Sequence, residues 1–181
     1  MTKRKMPPQN PSESEQNVGT PWRFVHAVHR LLCIPSFAVD LASSDELSKG
    51  IVCVTEQEDT FKTDWAAFTN WQRWGFLNPP FGNIEPFAKK AWEDSRRGAC
   101  LVMLVPAAVG STWWHEWVSG KGYTIILRNR MAFIGHTQSY PKDLALIVYA
   151  PFLAGGMRYW SWIADEPKKE KTRGRQAATK L

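Results

Sequence analysis

The segment Asn78-Pro79-Pro80-Phe81 combines residue types that suit chemistry on a planar amine. An amine attached to an aromatic ring, such as that of adenine, is a poor nucleophile because its lone pair is delocalised into the ring. Two acceptors aimed at its two N–H bonds would draw the nitrogen towards tetrahedral geometry and localise that pair. The side-chain oxygen of Asn78 can be one acceptor. The carbonyl of Pro79 can be the other, since consecutive prolines fix its direction. Phe81 offers a face on which a ring can stack. Binding is then strongest for the geometry reached on the way to group transfer, which is what catalysis requires. A rigid turn with Asn as a local cap would also use the two prolines. It would not account for the apolar run before the motif or the amphipathic pattern after it.

The elements that must hold this segment read as alternating strands and helices. Thr20-Pro21 predicts a helix start, with Thr as N-cap and Pro at the first helical position. Val25, Val28, Leu31 and Leu32 follow at helical spacing, and Pro35 ends the run. Phe37, Val39 and Leu41 alternate as in a strand, and Ile51 to Val54 predicts a second. Glu56 to Gln72 carries no clear period. Gly75-Phe76-Leu77 is a short apolar run that enters the motif. Ile84, Phe87, Ala88, Ala91 and Trp92 share one helical face. Cys100 to Val105 is continuously apolar, as in a central strand covered on both faces. Ser111 is placed to cap a helix holding Trp113, Trp114 and Trp117. Tyr123 to Leu127 and Leu144 to Tyr149 predict further strands, with Trp160 and Trp162 merely packing beyond the last. This order predicts an α/β three-layer sandwich with a mainly parallel sheet. Ligands of such sheets bind outside the carboxyl ends of the strands, where the motif falls.

Composition bounds the rest. The chain has 181 residues, enough for one domain with a proper core. Its 23 basic and 17 acidic side chains leave a net charge of +6. Residues 1–19 contribute +3 and −2, and residues 164–181 contribute +6 and −3, so residues 20–163 carry only +2. Both ends are poor in residues that could be buried and read as disordered tails, the second basic. Such tails can track phosphates or simply keep the chain in solution. Cys33, Cys53 and Cys100 are scattered, with no CxxC pair, which argues against a structural metal and for a reducing compartment. The longest apolar stretch, Ala99 to Gly110, contains Pro106 and is too short to span a bilayer. Ten Trp stand against four Tyr, a surplus that suggests stacking on flat ligands as well as packing.

The motifs together resemble the phage-type DNA N6-adenine methyltransferases, small S-adenosylmethionine-dependent enzymes with a Rossmann-like fold. The resemblance runs from about Thr20 to Pro151. It rests on Thr20-Pro21-Trp22, on Phe37 to Ser44 (FAVDLASS) and on Phe76 to Asn83 (FLNPPFGN). It continues through Leu104 to His115 (LVPAAVGSTWWH), Arg128 to Phe133 and Tyr140 to Tyr149 (YPKDLALIVY). The resemblance implies that Asn78, Pro79, Pro80 and Phe81 form the target-amine pocket. It implies that Thr20 and Pro21 line the methionine end of the cofactor pocket and that Asp40 meets the cofactor's amino group. Asp64 and Trp65 correspond to an acid-aromatic pair that contacts the cofactor adenine. Phe133 corresponds to an aromatic packed on the far side of the target base, and Arg128 and Arg130 beside it suit phosphate contact. The chain departs from the pattern after the first strand, where Leu41-Ala42-Ser43-Ser44 replaces a GxG turn. Glu56 and Glu58 are both spaced to hold the ribose hydroxyls.

Three functions follow. The first is methyl transfer to adenine N6 in double-stranded DNA, with the base extruded because the donor cannot reach it inside the stack. The second is the same chemistry on RNA or on a protein glutamine. The third is a degenerate relative that binds DNA or cofactor without turnover, which the missing GxG would favour. The first implies S-adenosylmethionine as cofactor, no membrane association, the cytoplasm of a bacterial host and a compact domain without a separate target-recognition domain.

Overall fold

A computed structural model describes residues 19–44 and 46–163; the expected tails, apart from Gly19, lie outside the described residues. Gly19 itself is no tail residue. It is buried and bridges to Ile134, its carbonyl accepting from Ile134 N at 2.8 Å.

The elements run α1 (Trp22–Leu32), β1 (Phe37–Asp40), β2 (Gly50–Cys53), a 3-10 turn (Glu56–Glu58), α2 (Trp65–Phe68), β3 (Gly75–Leu77) and α3 (Glu85–Arg96). They continue with β4 (Leu101–Pro106), α4 (Thr112–Trp117), β5 (Tyr123–Leu127), β6 (Leu144–Tyr149) and β7 (Gly156–Trp160). The seven strands form one sheet in the order β2-β1-β3-β4-β6-β5-β7. The pairs β1/β2, β1/β3, β3/β4 and β5/β7 are parallel, while β6 runs antiparallel to both β4 and β5. The architecture is thus a mixed α/β sheet, mostly parallel, consistent with a Rossmann-like fold.

Alternate residues of the strands feed two apolar clusters. Phe37, Phe76, Val102, Leu104, Leu146 and Val148 join Phe24, Val25 and Val28 of α1. Val39, Leu77, Leu101, Met103, Ala145 and Ile147 join Phe87, Ala88 and Ala91 of α3 and Trp114 of α4. The period of two along each strand separates the sets. β4 and β6 are buried at every position, which is why they read as continuous apolar runs.

Three local expectations differ from the structure. Helix α1 begins at Trp22, with Pro21 at the N-cap and its carbonyl accepting from Phe24 N and Val25 N. The Thr20 hydroxyl is therefore no cap. Ser111 is the N-cap of α4, but its hydroxyl donates to the Ala108 carbonyl at 2.7 Å and makes no cap bond to the helix. The chain also does not stop pairing after β6. β7 is an edge strand, exposed at four of its five positions, and so shows no burial alternation to read. Its Trp160, with Trp162 just beyond, packs on Phe24.

Candidate active site

Strand β3 ends at Leu77 and delivers Asn78 directly to the carboxyl edge of the sheet. Asn78 Oδ1 and Pro79 are buried. Asn83 N donates to the Pro80 carbonyl at 3.1 Å, which closes the turn before α3 begins. A cavity of about 880 Å³ opens beside this turn. Thr20, Asp40, Asn78 and Pro80 all line it, together with the loops that follow β1 and β2. Its volume lies within the ~300–1,000 Å³ of small-molecule sites.

Asp40, the last residue of β1, is buried. Its Oδ2 accepts from Lys49 N at 2.9 Å and its Oδ1 from Ala42 N at 3.4 Å. Burial pushes the Asp40 carboxyl up to about 6, against those hydrogen bonds and the nearby Lys49 charge. Lys49 also lines the cavity and is itself buried, which lowers its pKa. Its ammonium donates to the Leu47 carbonyl and lies 4.9 Å from the Trp22 ring centroid. The approach of β2 to Asp40 depends on Gly50, where an added Cβ would lie 2.3 Å from Asp40 N. Across the cavity, Thr20 Oγ1 is buried with no hydrogen-bond partner among the described residues. A buried carboxylate and an orphaned hydroxyl on one cavity wall are groups that a polar ligand would satisfy.

A second feature lies on the other side of the Asn-Pro-Pro turn. Phe81, Phe133 and Tyr140 meet edge to face, with centroids 5.8, 5.3 and 5.8 Å apart. Phe133 is buried, whereas Phe81 and Tyr140 are half-buried. Stacking a ring between two others needs about 7 Å, twice a van der Waals contact, so Phe81 and Phe133 are in their closed spacing. Arg128 and Arg130 stand exposed on the same loop, Arg130 with its Nε 3.7 Å from Asp143.

The comparisons with known proteins bear on this arrangement. The family model described as DNA N-6-adenine-methyltransferase (Dam) matches residues 9–150, most of the chain. The chain belongs to the DNA N-6-adenine-methyltransferase family. It is also similar to the DNA N-6-adenine-methyltransferase of Haemophilus phage HP1 (strain HP1c1), with 25% identity over 174 residues covering 92% of this chain and 97% of the relative. The family implies a methyl donor and a DNA substrate.

In this methyltransferase the residues singled out from sequence fall into two groups. Thr20, Asp40, Asn78 and Pro80 converge on the cavity, and Phe81 and Phe133 meet beside it. Pro21 and Pro79 set backbone and do not line the cavity. Asp64 and Trp65 are not brought to it either. Asp64 caps α2, accepting from Ala66 N, and pairs with Arg97 at 2.8 Å. Trp65 is fully buried and donates Nε1–H to both oxygens of Thr60 at 3.0 Å. Glu58 turns back to accept from Thr55 N at 2.9 Å and does not line the cavity. The residues that do line this side are Gln57, Asp59, Thr60 and Phe61. Phe61, 43% exposed, packs on Phe87 with centroids 4.7 Å apart. Sequence reasoning passed over it because the segment has no period, yet an apolar ring in a polar run was a usable signal. Tyr140 was likewise legible only as part of a longer block. Among the described residues no helix is long and apolar enough to cross a membrane.

Proposed function

We propose that the chain transfers a methyl group from S-adenosylmethionine to N6 of adenine in double-stranded DNA, with the target base extruded from the helix. The observation that carries this reading is the convergence of Thr20, Asp40 and Asn78 on one cavity at the carboxyl edge of the sheet. The two helix-backed apolar clusters support a three-layer Rossmann-like sandwich, compact enough to lack a separate recognition domain.

The donor set fits the cofactor. Asp40 and Lys49 give the cavity opposite charges, as the zwitterion of an amino-acid end requires. The Thr20 hydroxyl supplies a further polar partner there. Leu41, Ala42, Ser43 and Ser44, which stand where a GxG turn was expected, all line the cavity. That supports a working pocket over a degenerate one. Phe61 and Phe87 supply the apolar faces that a ring needs. When bound, S-adenosylmethionine supplies an electrophilic methyl group.

The chain's own residues then act on the amine. Asn78 Oδ1 and the Pro79 carbonyl accept its two N–H bonds and localise its lone pair. The short, buried β3 and the closed Pro80–Asn83 turn hold those acceptors in place before the base arrives, so little reorganisation remains at the moment of transfer. Entry of the base parts Phe81 from Phe133 and places the ring against Phe81. Arg128 and Arg130 contact phosphates beside the extruded nucleotide.

The test offers labelled S-adenosylmethionine with unmethylated duplex DNA, RNA and protein in separate reactions. The reading predicts label in duplex DNA, recovered as N6-methyladenine. Label confined to RNA or protein, or none anywhere, overturns it.

A further inference from the structure

The chain has little room for a domain devoted to reading sequence, so some part of the catalytic edge must do it. The loop from Arg128 to Asp143 leaves the sheet at the end of β5 and returns at the start of β6. Because β6 is antiparallel, both ends of the loop lie at the edge that carries Asn78. Its legs are fixed. Met131 and Phe133 are buried, and Tyr140 N donates to the Met131 carbonyl at 2.8 Å. Ile134 N is bonded to the Gly19 carbonyl at 2.8 Å, and Ala107 N to the Asp143 carbonyl at 2.9 Å. Between the legs, residues 135–139 are all exposed. Gly135 adopts φ +88°, which turns the chain outward, and His136 N closes the turn on the Phe133 carbonyl at 3.1 Å.

A polar surface loop is ordinarily a solvated turn. Two features separate this one. Its tip is anchored through Phe133, the ring in contact with Phe81. Its charges are also one-sided: Arg128, Arg130 and Lys142 face a single acid, Asp143, which sits beside Arg130. The tip side chains His136, Thr137, Gln138 and Ser139 can all hydrogen-bond, and none is a carboxylate that would repel phosphate.

We propose that the loop tip, residues 135–139, reads the base pairs flanking the target adenine, with Gln138 and Thr137 making base-edge contacts. This rests on the reading of the site as a DNA adenine methyltransferase. Gln pairs in two-point fashion with adenine, and Thr serves either as donor or acceptor or against a thymine methyl. Four residues separate Phe133 from Thr137, so at about 3.4 Å each the tip reaches at most roughly 13 Å. That is about four base steps of 3.4 Å. The positions read lie within four steps of the adenine.

The experiment maps N6-methyladenine at single-base resolution on a mixed-sequence duplex library, for the wild type and for Gln138→Ala and Thr137→Val. Both sites are exposed, and S-adenosylmethionine binding is measured alongside. The expected result is relaxed preference, on the order of ten-fold, at one or two positions within four steps of the adenine, with cofactor affinity unchanged. Preferences identical to wild type in both variants overturn the inference. So does a uniform loss of rate across all sequences, or a wild type with no sequence preference. A wild type that methylates no DNA adenine fails at the level of the site's function and is distinguished by that control.

Discussion

Replacing Asp40 with Asn separates what the cavity costs the fold from what it gives the cofactor. The carboxyl is buried and its pKa stands at about 6, against 3.8 in the absence of perturbation. The folded chain therefore holds a proton more tightly than the unfolded chain. This is stabilising below pH 4, declines as pH rises from 4 to 6, and leaves a constant cost above 6. At ~1.36 kcal/mol per pKa unit the ionised carboxylate costs the empty protein about 3 kcal/mol at pH 8 and roughly half that at pH 5. Asn keeps an acceptor for Lys49 N and carries no charge. Asp40→Asn is thus expected to stabilise the empty protein by up to ~3 kcal/mol at pH 8, or roughly 6–12 °C in Tm for a chain this size. The same change removes the partner of the cofactor's ammonium, which is expected to weaken binding by at least ~30-fold. Wild-type affinity should also fall as pH drops below about 6, where Asp40 takes up its proton, while the variant's stays flat. Thermal melts at pH 5 and pH 8, with calorimetric titration of S-adenosylmethionine at both, read each quantity. A variant less stable than wild type at pH 8, or a stability gap that does not widen between pH 5 and pH 8, refutes the reasoning.

Other changes address single elements of the site. Thr20→Val removes an orphaned hydroxyl of nearly the same shape, so the empty protein should lose no stability by urea titration. Its cofactor affinity should fall by about ten-fold, since the ligand loses a hydrogen-bond partner. Trp65→Phe breaks the bond to Thr60 inside the core and should cost roughly 1–2 kcal/mol. Cofactor affinity should hold to within about two-fold by the same titration, because the lost bond is structural; a ten-fold loss would return Trp65 to the cofactor site. Gly50→Ala drives a Cβ into the backbone of β1 at Asp40 and should lower stability by ~3 kcal/mol or more, seen as a fall in the urea midpoint.

How far the sequence carried depends on the kind of signal each residue left. The motif and β3 were legible because an apolar run must precede a buried turn, and two prolines leave few conformations. β4 and β6 were legible because burial on both faces admits only apolar side chains. Asp40 could be placed because alternation located the end of β1. The segment from Glu56 to Gln72 could not be read, and there the acid-aromatic pair went astray. Asp64-Trp65 has the right residue types, but an Asp ahead of a short helix is equally suited to cap it, and Trp65 finds its N–H partner inside the core. Only the path of the chain decides that Phe61, four residues earlier, faces the cavity. β7 left no trace because an exposed edge strand buries too little to impose a period. The contact of Tyr140 with Phe81 spans about sixty residues, and no local pattern encodes it.

The central claim is that Asn78 acts on the amine and not on the cofactor. Asn78→Ala should retain S-adenosylmethionine affinity to within about three-fold while methyl transfer to DNA adenine falls a hundred-fold or more, the scale for removing one preorganised hydrogen-bond partner of a transition state. Transfer within ten-fold of wild type, or a loss explained by weaker cofactor binding alone, would contradict it.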